Sequence, residues 1–103
     1  MQYNVLMNVQ ELVDQIRPFK PQRIILFGSQ VYGKPRPDSD FDVAIVKNTD
    51  IPFHDRLVEI RKLVRTTTPI DFFVFTESEL ASAKHTNPFV AEIVTKGKVI
   101  YEQ

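Results

Sequence analysis

The chain has 103 residues, a formal net charge of zero, 43% apolar and 25% charged residues, and no cysteine. Those fractions describe an ordinary globular protein of one-domain size, residues 1–103, able to bury a real core. Balanced charge argues against gripping a long nucleic acid by electrostatics alone, and the missing cysteines exclude disulfides and thiolate metal sites. Met1-Gln-Tyr-Asn4 lacks the basic and then apolar regions of a signal peptide, and no apolar run approaches the ~20 residues a membrane span needs. A soluble, cytoplasmic protein with no membrane partner is expected.

In chain order, Val5, Val9, Leu12 and Ile16 are spaced as one stripe of an amphipathic helix, with Asn4 as its cap and Pro18 beyond its end. Pro18 to Pro21 is a connector. Arg23 to Phe27 reads as a buried strand, Ser29 to Tyr32 has room for a brief helical turn, and Gly33 to Asp38 is a proline-bearing loop. Phe41 to Val46 is a second strand. Asp50 would cap the next helix, with Pro52 in its first turn, Phe53, Leu57, Ile60 and Val64 facing inward, and Pro69 ending it. Ile70 to Phe75 is a third strand. Thr76-Glu-Ser-Glu79 has the capping-box pattern of a helix running to about Lys84. Asn87-Pro88 starts another, with Phe89, Val90, Ile93 and Val94 inside and Gly97 as its stop. Lys98 to Glu102 suits an edge strand. The first two strands are joined by about a dozen residues, too short for a packed parallel crossover, so they should be antiparallel. A small mixed sheet covered by helices, of the α+β class, follows.

The chemistry concentrates around Gly28-Ser29 and Asp38-Ser-Asp-Phe-Asp42. Residues two apart on a strand share a face, so Asp40 and Asp42 would stand side by side, and a cation would remove their repulsion. Asp71 is the one acid in an otherwise apolar strand. If that strand pairs with Phe41 to Val46, three carboxylates converge as hard oxygen ligands for magnesium or manganese; taken alone, Asp71 is equally a rim charge paired with a lysine or arginine. Glycine at a strand end lets a phosphate approach the backbone, and Ser29 offers a hydroxyl and an N–H. Together these describe a nucleoside triphosphate site using two-metal phosphoryl transfer. An EF-hand is excluded, because Val43 and Thr49 stand where it needs glycine and glutamate. His54 and His85 lack partners at metal-ligand spacing and read as surface residues, Lys34 and Arg36 as solvated loop charges, and the eight phenylalanines as core.

Gly28-Ser29, ten residues, Asp40-Phe-Asp42 and the later Asp71 resemble the pattern of the DNA polymerase β nucleotidyltransferase superfamily, above all its minimal nucleotidyltransferases. The resemblance implies a palm-like fold, ATP as substrate, and Asp40, Asp42 and Asp71 as metal-binding and catalytic residues. Gly28, Ser29 and Ser39 would bind the nucleotide. It also implies a HEPN-domain toxin as partner, with AMP transferred to a tyrosine hydroxyl, so that the chain acts as an antitoxin. Two departures stand out. Gln30 and Tyr32 occupy positions where relatives often carry arginines, and a single domain without the large acceptor-binding domain of other superfamily members is expected. These departures leave room for an alternative, a non-catalytic antitoxin or nucleotide-binding module that neutralises its partner by direct binding.

Overall fold

The computed structural model describes residues 8–28 and 41–103. Helix α1 spans Val9–Ile16, followed by a 3-10 turn at Arg17–Phe19. Strands β1 (Arg23–Phe27) and β2 (Phe41–Val46) have the bounds read from their apolar runs. Helix α2 (Phe53–Leu63), strand β3 (Ile70–Phe75), helices α3 (Glu77–Ala83) and α4 (Pro88–Lys96), and strand β4 (Lys98–Glu102) complete the order. The sheet runs β3-β2-β1-β4. β1 lies antiparallel to β2 and β4, whereas β2 and β3 are parallel. The expected mixed α+β architecture is therefore present.

Strand alternation divides the apolar residues between two faces. Ile24, Leu26, Val43, Ile45, Phe72 and Val74 meet Leu12, Ile16 and Ile60 from α1 and α2. Ile25, Phe27, Ala44 and Val46 meet Leu80 from α3 and Val90 and Ile93 from α4 on the other face. Both faces are thus covered, and the strand interiors are apolar throughout rather than alternating.

Several details differ from the sequence reading. Asn8, not Asn4, caps α1, because Asn8 and Glu11 form a reciprocal capping box; Asn4 and Val5 lie outside the described residues. Asp50 does not cap α2. The Thr49 hydroxyl accepts the Ile51 N–H in a local turn, and Pro52 takes the cap position. That helix stops at Leu63, well before Pro69, where a β-branched run of three threonines begins to compete. Gln15 of α1 holds the departing chain by donating to the Arg65 carbonyl and accepting from the Arg65 N–H. In α4 only Val90 and Ile93 are buried; Phe89 and Val94 lie about 70° to either side of that stripe and are exposed. Phe53, at the first position of α2, is exposed as well.

Gly97 ends α4 as expected, and what requires glycine there is crowding rather than a left-handed turn. Its backbone is extended, and a Cβ there would lie 2.4 Å from the Ile93 carbonyl oxygen and 2.5 Å from Ile25 Cγ2.

Arg56 is 5% exposed and ties three elements together. Its Nε donates to the Ile51 carbonyl and its Nη1 to that of Val74 in β3, while Nη1 and Nη2 grip both Glu79 oxygens at 2.7 and 3.1 Å. Glu79 also accepts the Thr76 N–H and so closes the α3 capping box. The Arg56 hydrogen bonds hold the Glu79 carboxyl below its ordinary pKa of 4.5 against partial desolvation, with the Thr76 N–H helping. A carboxyl depressed in the folded state stabilises fully above its unfolded pKa and loses that contribution as pH falls through the folded value. Glu79→Gln is therefore expected to flatten the acid limb of stability below about pH 4.5, measured by urea midpoints across pH. Arg56→Ala should cost about 2–3 kcal/mol at neutral pH, since it strips bonds from buried carbonyls as well as from Glu79.

Candidate functional site

The end of β1 and the starts of β2 and β3 lie at one edge of the sheet. Across it, Phe27 is the register partner of Asp42, and Asp42 that of Asp71. Register partners present their side chains to the same face, about 5 Å apart. That face is the one carrying Ile25, Phe27, Ala44 and Phe73, so both carboxylates stand on the side covered further in by α3 and α4. Asp42 is half-buried and Asp71 exposed. They interrupt the apolar rows only at the second position of each strand, near the rim of the sheet.

Gly28 follows β1 with φ of 83°, a left-handed conformation that glycine adopts without a Cβ penalty. A Cβ at this position would fall 2.1 Å from Asp42 Oδ2. The Asp42 carboxylate therefore occupies the volume that any larger residue would fill. Glycine here makes room for the acid as well as for the turn.

Among the sequence-derived candidates, Gly28, Asp42 and Asp71 are brought together. Ser29, Ser39 and Asp40 lie outside the described residues, as do Gln30, Tyr32, Lys34 and Arg36. Among the described residues no three His, Cys, Asp or Glu side chains form a metal-binding group. The two carboxylates in register still fit divalent-ion chemistry: they are hard oxygen donors on one face, and Gly28 leaves room for one of them. His54 and His85 are exposed. No described helix is long and apolar enough to cross a membrane.

Three of the phenylalanines read as core border this site. The Phe27 and Phe73 rings are tilted against each other with centroids 5.8 Å apart, and the Phe89 ring is steeply inclined to both, at 5.6 and 5.1 Å. Nothing in the local sequence marks Phe89 for such a place, because its position depends on how α4 crosses the sheet. A separate cleft of about 140 Å³, lined by Arg23, Glu77, Leu80, Ala81, Lys84 and Val94, lies at the other end of the same face. There Arg23 pairs with Glu77, so a cation lines it rather than an acid pair.

Gly28→Ala should destabilise the fold by about 2 kcal/mol or more, through backbone strain and collision with Asp42. In an Asp42→Ala background the same change should cost less, because the collision is gone and only the strain remains. A double-mutant cycle in urea measures that coupling.

The family described as polymerase beta, nucleotidyltransferase, matches residues 9–103. No curated protein matches the chain. Among solved structures, it resembles a candidate nucleotidyltransferase from Sulfolobus solfataricus, with a TM-score of 0.65 at 18% identity, covering 91% of this chain and 77% of that one. It also resembles a toxin–antitoxin structure with AMP-PNP, with a TM-score of 0.59 at 21% identity, covering 94% and 75%. These structural likenesses speak for a shared fold, whereas the family match spans nearly the whole sequence. The chain belongs to the polymerase β nucleotidyltransferase family.

Proposed function

We propose that residues 1–103 form one cytoplasmic nucleotidyltransferase domain that moves AMP from ATP to a tyrosine hydroxyl of a HEPN-type toxin, and so acts as its antitoxin. The observation that carries the reading is the β2–β3 register, which sets Asp42 beside Asp71 on one face, next to the Gly28 turn. Asp40, Asp42 and Asp71 would hold magnesium or manganese, with Gly28, Ser29 and Ser39 on the triphosphate. Bound ions would offset the charge of the carboxylates and of the departing pyrophosphate. Asp71, exposed at the rim, would take the proton of the acceptor hydroxyl. As that oxygen bonds to the α-phosphorus, the bond from the α-phosphorus to the bridging oxygen breaks and pyrophosphate leaves. The likeness to a toxin–antitoxin structure with AMP-PNP supports both a toxin partner and a nucleotide.

Gln30 and Tyr32, where relatives often carry arginines, favour a second reading: the chain neutralises its partner by direct binding, without catalysis.

The test is α-labelled ATP with magnesium and a HEPN-type protein encoded beside this chain. The parent should label that protein, while Asp42→Asn and Asp71→Asn should each lower the rate at least ~100-fold. Absence of label, or an Asp42→Asn variant as active as the parent, overturns the enzymatic reading. Protection of cells by Asp42→Asn would support the binding reading instead.

A further inference from the structure

We propose that Phe89 is the stacking surface for the nucleobase of the bound nucleotide, an inference that rests on the nucleoside triphosphate reading above. The sheet face can be followed row by row. At its rim stand Phe27, Asp42 and Asp71; the next row inward is Ile25, Ala44 and Phe73. Successive rows on one face are about 7 Å apart. Ala44 is fully buried and small, and the rings of Phe27 and Phe73 meet from the two flanking strands. Phe89, in the first turn of α4, contacts both rings, one carried by β1 and one by β3, the strands on either side of β2.

Its inner side is fixed by two aromatic contacts, yet 44% of Phe89 remains exposed, while its helix neighbours Val90 and Ile93 are buried. A partly exposed ring packed on Phe27, the register partner of Asp42, shares a sheet face with both carboxylates, and the two features match the two ends of a nucleotide. The phosphates, with their cations, take the acids; the planar base takes the ring. Stacking of a base on an aromatic side chain is favourable for every base, so this contact supplies affinity without selecting among them.

The chain contains no tryptophan, so Phe89→Trp introduces a single fluorescent reporter. Affinities for ATP and for inorganic tripolyphosphate, each with magnesium, would be measured on the full chain. Phe89→Ala should weaken ATP binding about tenfold and leave tripolyphosphate within about twofold of the parent. Phe89→Trp should retain ATP affinity, with its emission quenched by ATP and not by tripolyphosphate. If Phe89→Ala does not fold, Phe89→Leu provides the same comparison. Equal loss for both ligands, or no loss for ATP in a parent that binds it, overturns the stacking role and leaves the nucleotide reading standing. A parent that binds neither ligand overturns both.

Discussion

The site depends on one pairing, the parallel ladder between β2 and β3. Its register opposes Asp42 to Asp71. A slip of one residue would send one carboxylate to the face packed by α1 and α2, among Phe41, Val43 and Phe72. Burying an unpartnered charge there is far more costly than leaving it at a wet rim. The hydrophobic pattern that builds the core therefore also fixes where the acids meet. Site and fold are specified by the same alternation, so the acid pair needs no separate positioning device on the strands themselves.

The helices on the other side of the ladder are held by a different kind of contact. Arg56 extends from α2 past the end of β3 to Glu79, and Glu79 in turn closes the first turn of α3. One carboxylate thus serves a helix end and a tertiary ion pair together. A buried guanidinium is tolerated because each of its three nitrogens donates to an oxygen, two of those acceptors being backbone carbonyls. This arrangement ties α2, β3 and the first turn of α3 to one another.

Features written in local periodicity were legible beforehand. Strand bounds at Arg23, Phe27, Phe41, Val46, Ile70 and Phe75 follow from apolar runs flanked by turn residues, and the Thr76–Glu79 box announces its helix without any tertiary information. The pairing of Asp42 with Asp71 was stated as a condition on strand pairing, which the topology meets. What escaped were choices between equivalent local signals and contacts made across the fold. Asn4 and Asn8 are chemically alike as caps, and only Glu11 three residues on decides between them. Arg56 reads as one more helix charge until β3 and α3 close around it. Phe89 and Val94 are as apolar as Val90 and Ile93, so composition cannot say which of the four a crossing helix leaves outside. Ser29, Ser39 and Asp40 fall outside the described residues, and their roles rest on the family resemblance.

The antiparallel turn from β1 to β2 has a wider meaning. Residues 28 and 41, the described residues on either side of the connection, both lie next to Asp42 at the same end of the sheet. The strand ends that border the acid pair are therefore also the points between which length and charge can change while the two hydrophobic layers stay as they are.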